Sequence, residues 1–261
     1  MEFDAAHFEL IIKDIEKNLT VLSSKLDSVP HVVDNAIDHW WVTDGMEASI
    51  RWTGEKIIEF GKWLWDTIKD VLKGVAAPLF LGKCAFDWYG VRESATLVQS
   101  EINPDVLSVN REWQGAAQLA YARTMTSQRE AVKRIGEIGK DASTSVLAVA
   151  VGGLVFYVAM GAILSKAIAE IAAAIAGLGS GVFSWAGAAL LLEAITSTSI
   201  SMAAALAALA TLTGAQVTGL VALEATATDN GPFPGGRWPD PNTKTFDDGT
   251  RLDGTANWSV R

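Results

Sequence analysis

Residues Ser145 to Ser165 read SVLAVAVGGLVFYVAMGAILS and contain no ionic side chain. A helix needs about 20 apolar residues to cross the hydrocarbon of a bilayer, and this run has that length. About ten strongly apolar side chains at roughly −0.3 to −0.6 kcal/mol each favour insertion by about −3 to −6 kcal/mol, and the glycines at 152, 153 and 161 reduce that gain. The ionless character continues past Ser165, because Lys166, Glu170 and Glu193 are the only charged residues between 142 and 223. Residues 171–192 are richer in Ala and Gly, so their own insertion is marginal. Gly177-Leu-Gly-Ser-Gly181 within them reads as a hairpin turn or as a close approach of helices. No strand precedes this G-x-G and no acidic ribose ligand follows it, so it is not a dinucleotide fingerprint. Residues 194–223 are filled with Ala, Ser and Thr, with a thin stripe of Met202, Leu206, Leu209, Val217 and Leu220. Two readings compete for 145–223. Two or three helices enter a bilayer, where a helix satisfies its own backbone. Alternatively, a tight alanine-rich bundle stays in water and buries itself or an oligomer interface. The 145–165 run favours insertion.

The rest of the 261-residue chain contrasts with this region. Residues 1–141 carry 16 basic and 22 acidic side chains, and residues 224–261 carry 4 and 6. Charge therefore divides the sequence into an amphipathic part (1–141), a hydrophobic part (142–224) and a Pro/Gly/Asp-rich tail (225–261). A net charge of −9 argues against general nucleic-acid binding, which needs a basic face, and against adhesion to anionic lipid by charge alone. The single Cys84 excludes a disulfide framework and a thiolate zinc cluster within one chain. The start, Met1-Glu2-Phe3-Asp4, is acidic with no apolar run behind it, and reads as lacking a Sec-type signal.

The first part is helical. Phe8, Ile12, Ile15, Leu19, Leu22 and Leu26 recur at alternating spacings of four and three, a narrow coiled-coil-like seam. It packs within its own chain or against a partner helix, and the intrachain reading leads because three heptads are marginal alone. Ser28-Val29-Pro30 is predicted to end that helix, since Pro disfavours helix at the residue before it. A Trp-rich stretch follows, with Trp40, Trp41, Trp52, Trp63 and Trp65. Ile57, Phe60, Leu64, Ile68, Val71 and Leu72 then form one stripe of a strongly amphipathic helix. Trp63 and Trp65 suit a lipid headgroup boundary or irregular core space, and the mixed charge of the polar face favours the core. A further helix is predicted from about Cys84 to Glu101. After the turn signal Asn103-Pro104-Asp105, another runs from Val109 to about Gly139, with Tyr121, Met125, Gln128, Val132, Ile135 and Ile138 inward. No strand is expected in residues 1–141. The fold class is all-α: an elongated helical hairpin or bundle, a hydrophobic helical hairpin, and a tail read as extended or flexible.

Asn110-Arg-Glu-Trp113-Gln-Gly115-Ala-Ala117-Gln-Leu-Ala-Tyr121 is the most informative local signature. Gly allows a tight bend, small Ala residues let helices approach, and Trp closes the open end of a hairpin. The triplet W-x-G also occurs at Trp52, Trp88 and Trp185, and the extended context sets Trp113 apart. That context resembles the W-x-G family of helical-hairpin proteins exported by type VII (ESX) secretion systems in actinobacteria. Its longer members continue W-x-G-x-A-A-x-x-[AY], with Trp113, Gly115, Ala117 and Tyr121 at the matching positions. The likeness covers residues 84–141, plus the first helix if 28–83 is an insertion. It implies pairing with a related helical partner into a four-helix bundle. The family's Y-x-x-x-[DE] export signal is matched only by Tyr89…Glu93, upstream of Trp113, so the resemblance implies that the partner carries it.

His7, His31 and His39 lack metalloprotease spacing, and no nucleophile elbow, phosphate loop or paired-carboxylate motif is apparent. No catalytic residue, cofactor or metal is expected, and Cys84 reads as a buried small side chain. The acidic residues of the tail do not match an EF-hand loop. Lys166 and Glu170, one turn apart, and Glu193 read as solvated helix ends or as pore-facing groups, with the first favoured. The expected function is a non-enzymatic type VII secretion substrate, secreted or envelope-associated, that pairs with a W-x-G partner and acts on membrane lipid. It would serve as a pore former or effector leader, with homo-oligomerisation as a further expectation. The alternative is a soluble helical scaffold or adaptor with an alanine-rich oligomerisation bundle.

Overall fold

Asp4 opens the first helix. Its carboxylate accepts the backbone N–H groups of Ala6 and His7 at 3.0 and 3.1 Å, two of the donors a helix start leaves unpaired. The computed structural model describes residues 4–107, 112–179, 185–240 and 258–260. The fold is all-α. Five long helices are described: α1 (Ala5–Ile37), α2 (Asp44–Leu72), α3 (Ala76–Glu101), α4 (Ala116–Gly179) and α5 (Trp185–Thr228). Strands β1 (Trp113–Gly115) and β2 (Trp258–Val260) pair antiparallel, with Trp113 opposite Val260 and Gly115 opposite Trp258.

The chain forms two compact units, each assembled from separated stretches. One unit is Met1–Gly82 with Val149–Gly214, and the other is Lys83–Ala148 with Ala215–Arg261. The charge boundary at 141/142 is therefore not a contact boundary, and α4 runs straight through it. In the first unit α1 and α2 lie antiparallel, with Gly61 against Leu26 and Gly54 against Val29 and Val33. The apolar part of α4 runs parallel to α1. The Phe8 and Tyr157 rings meet edge to face at 5.3 Å, Asn18 Nδ2 donates to Ser165 Oγ at 3.0 Å, and Gly179 lies beside Val32. Tyr157 Oη donates to the Val71 carbonyl at 2.9 Å, and Pro78 abuts Gly153. The α5 helix returns antiparallel to α4, bringing Leu212 to Gly152. Phe8, Ile15, Leu22, Ile50, Ile57, Leu64, Ile68, Met160, Leu164, Ile171, Leu178 and Leu191 are the largest fully buried side chains of this core among the described residues.

Several expectations are corrected here. Pro30 does not end α1, which continues to Ile37. The apolar rhythm carries on through Val29, Val33 and Ala36, all buried, and this packing outweighs the roughly 3 kcal/mol that an interior proline costs. Trp63 is not core: its side chain is 40% exposed, while Trp65 is half-buried beneath the Lys69 ammonium, 4.8 Å from the ring centroid. Helix α3 begins at Ala76, eight residues before Cys84, with only the turn Lys73–Val75 separating it from α2.

In the second unit α3 and the first half of α4 are antiparallel and very close. A Cβ on Gly139 would stand 3.0 Å from the Arg92 backbone nitrogen and 3.1 Å from the Trp88 carbonyl oxygen. Val132 is buried here, while Tyr121, Met125, Gln128, Ile135 and Ile138 are half-buried. The expectation of no strand before residue 141 is corrected by β1; α4 starts at Ala116, and Val109, the expected helix start, lies outside the described residues. The tail is held at three places among the described residues. Arg134 pairs with Asp229 at 2.6 Å, Gln128 Nε2 donates to the Pro239 carbonyl at 2.8 Å, and β2 pairs with β1. Asn110, Arg111, Ser180, Gly181, Asp247, Asp248 and Asp253 lie outside the described residues.

Candidate functional site

The ionless helices dominate the candidate site. Helices α4 and α5 are each long and apolar enough to cross a membrane, by length and composition. Their settings differ. The apolar half of α4 buries Phe156, Tyr157, Met160, Leu164, Ala167, Ile171 and Leu178 within the first unit. Helix α5 buries, among the described residues, only Leu191, Ala194, Thr198 and Met202. Leu192, Ile200, Leu206, Val217, Leu220 and Val221 are exposed. At 100° per residue these six fall within an arc of about 160°, so they form one apolar face of the helix and not a scatter. Met202 of the sequence-derived stripe is buried and Leu209 half-buried; Leu206, Val217 and Leu220 lie open.

The charges inside the ionless region are placed as follows. Lys166 Nζ stands 3.5 Å from Glu170 Oε1 and 3.3 Å from Ser197 Oγ, bridging α4 to α5. The structure thus brings Lys166 and Glu170 together, as their spacing of one turn requires. Glu193 is exposed. Glu170 Oε2 and the hydroxyl of Thr198 are buried without a hydrogen-bond partner. Thr198 and Ser197 were not singled out in the sequence, because a Ser/Thr-rich helix offers many equivalent hydroxyls and most bond back to the preceding turn.

The W-x-G turn is the second feature. Of the four W-x-G triplets, those at Trp52, Trp88 and Trp185 lie within helices, and Trp113-Gln114-Gly115 lies immediately before one, α4. Gly115 has φ +106°, a conformation that side-chain-bearing residues rarely adopt. The Trp113 ring lies 5.9 Å from that of Tyr121, and Ala117, the second residue of α4, is buried. Trp113, Gly115, Ala117 and Tyr121 therefore share one helix start. The pairing of β1 with β2 had no signal in the sequence, since three residues are too few for an alternating pattern.

The seam on α1 is spent within the chain. Phe8, Ile15, Leu19 and Leu22 are buried, and Ile12 and Leu26 are half-buried. Within the chain these residues pack as the intrachain reading expects, with Phe8 on Tyr157, Ile15 beside Gly161 and Leu26 on Gly61. An apolar groove of about 590 Å³ runs between α3 and α4, lined by Val91, Ala95, Val98, Val132 and Ile135, with Trp238 of the tail at its margin. Among the described residues no three His, Cys, Asp or Glu side chains come together as a metal site, and Cys84 is half-buried. The molecule is thus a helical bundle carrying two helices of membrane-spanning length and composition. No protein-family model, curated protein or solved structure matches the chain.

Proposed function

We propose that this chain acts at a membrane, with the antiparallel pair α4–α5 as the inserting element and α1–α2 as the cover that keeps α4 in water before insertion. The observation that carries this reading is the open apolar face of α5. Soluble monomers rarely leave contiguous apolar patches larger than a few hundred Å² in water, and larger ones mark partners or membranes. A run of 30 residues without charge (194–223) spans about 45 Å as a helix, more than the roughly 30 Å of bilayer hydrocarbon. The amphipathic α1 covers the inner face of α4 through Phe8 and Ile15, and α2 meets it where Tyr157 reaches the Val71 carbonyl.

The route to the membrane in this proposal is type VII secretion, paired with a W-x-G partner that carries the export signal. What supports it is the W-x-G triplet at a helix start, with Gly115 in the left-handed region and Trp113 against Tyr121. Because the α1 seam is occupied, the partner in this reading uses the α3–α4 groove. The test combines two measurements: dye release from lipid vesicles by the purified full-length chain, and its appearance in culture medium with and without the secretion apparatus. Release with export supports the whole proposal. Release without dependence on the apparatus keeps the membrane reading and removes the secretion route. Monodisperse behaviour in plain buffer with no lipid association removes the membrane reading and leaves the soluble scaffold.

A further inference from the structure

We infer that the turn between α1 and α2 is a lipid-headgroup anchor that delivers the end of the α4–α5 pair to a zwitterionic bilayer surface; this rests on the membrane reading above and specifies where contact begins. The turn spans residues 38–43 and is closed by the Val42 N–H donating to the His39 carbonyl at 3.0 Å. Trp40 is 94% exposed, and Trp41 stacks on His39 with ring centroids 5.5 Å apart and planes 12° from parallel. An indole held almost entirely in water serves no packing role in the unit, and its apolar body with a polar N–H suits the headgroup boundary.

The position of the turn identifies the occupant. Helix α1 runs parallel to α4, with Phe8 against Tyr157, Asn18 against Ser165 and Val32 against Gly179. The α1–α2 turn therefore lies at the end of this unit where α4 stops, at Gly179, and α5 starts, at Trp185. That end of the two ionless helices carries no charge from 171 to 192. A bilayer reached by Trp40 and Trp41 is thus reached by the helix pair that fits it, whereas a protein partner at the turn would leave the α5 face open. Charge selects the lipid. The turn is flanked by Asp34, Asp38, Asp44 and Glu47, and Arg51, the nearest Lys or Arg along the sequence, is already paired with Glu47 at 2.9 Å. Such a local negative field repels anionic headgroups over roughly a Debye length and tolerates zwitterionic ones.

The experiment uses the full chain and phosphatidylcholine vesicles, with binding measured by flotation. Burying part of one indole, on the order of 100 Å² at about 25 cal/mol per Å², predicts that Trp40→Ala with Trp41→Ala weakens partitioning about tenfold to a hundredfold. Trp238→Ala, about as exposed as Trp41 but in the other unit, is expected to bind as wild type, and circular dichroism checks that the double variant keeps its helices. Replacing a third of the lipid with phosphatidylglycerol is expected to weaken wild-type binding at low salt. Wild-type binding that ignores both substitutions, or that strengthens on anionic lipid, overturns the anchor and leaves the membrane reading standing. A wild-type self-association abolished by the double substitution assigns the turn to a protein contact and overturns the anchor too. No binding by wild type at all removes the function proposed above together with the anchor.

Discussion

Leu206 sits near the centre of the ionless run of α5, and its side chain is exposed. Replacing it with Lys separates the two environments that α5 suits. In water the change is expected to be nearly silent, because Leu and Lys have similar helix propensity and surface substitutions stay within about ±0.5 kcal/mol. In a bilayer the change removes a Leu worth about −0.5 kcal/mol and adds a Lys costing about 2.5–3.5 kcal/mol at the helix centre. The difference is about 3–4 kcal/mol, a factor of a few hundred in the inserted population. The assay pairs thermal unfolding in buffer with dye release from phosphatidylcholine vesicles across a protein titration. Unchanged unfolding with release shifted by two decades or more is the expected result. Leu206→Ala serves as the control that trims the face without charging it. Release by Leu206→Lys at wild-type protein concentrations would refute insertion of α5, and a large fall in unfolding temperature would show that the face is packed against protein in solution.

Three further outcomes follow from particular contacts. Pro30→Ala restores a backbone donor inside α1 at an exposed site, and should raise stability by about 1–3 kcal/mol in a urea titration; no gain would mean that the proline ring is fully accommodated. Tyr157→Phe removes the bond to the Val71 carbonyl, which still accepts the Gly74 N–H at 3.1 Å, so the loss should be about 0.5–1.5 kcal/mol by the same titration. Gly115→Ala forces a Cβ into a backbone conformation with φ +106° and should cost about 1–3 kcal/mol, with faster amide exchange at Gln118 and Leu119; unchanged exchange would argue that the turn relaxes freely.

Where the sequence predicted structure well, one helix face carried its own signal. Ile57, Phe60, Leu64 and Ile68 repeat at helical spacing and are all buried, and the α1 seam is buried at Phe8, Ile15, Leu19 and Leu22. The identity of what covers a face is not local information. Phe8 meets Tyr157 and Val32 meets Gly179, partners about 147 positions away, so the seam's pattern fits an intrachain or a foreign helix equally. Pro30 misled for the opposite reason: a strong local penalty was outweighed by the tertiary packing of Val29, Val33 and Ala36. The W-x-G turn was legible through its neighbours Ala117 and Tyr121, but its pairing with residues 258–260 depends on a segment 143 or more positions away with no pattern of its own. Charge located the ionless helices, yet only the fold distinguishes a covered α4 from an open α5.

That distinction sets an order of events. Drawing α4 into a bilayer strips Phe8 and Ile15 of their cover, at roughly 1.5–3 kcal/mol for each side chain left in water, or about 3–6 kcal/mol for the two. The outer face of α5 meets no such cost, since its exposed Leu and Ile residues exchange water for lipid with nothing to undo. Lipid should therefore take up α5 first, and α4 should follow only when α1 and α2 find an interface on which to lay their own apolar stripes. Tethering α1 to α4 tests this directly. Asn18 and Ser165 touch at 3.0 Å, so Asn18→Cys with Ser165→Cys in a Cys84→Ser background accepts a short bis-maleimide linker with a disulfide at its centre, each thiol adding to one maleimide. The tethered chain is expected to bind vesicles as tightly as the untethered one while releasing no dye, and reductant is expected to restore release. Release by the tethered chain would mean that α5 alone breaches the bilayer and that the cover over α4 is purely structural.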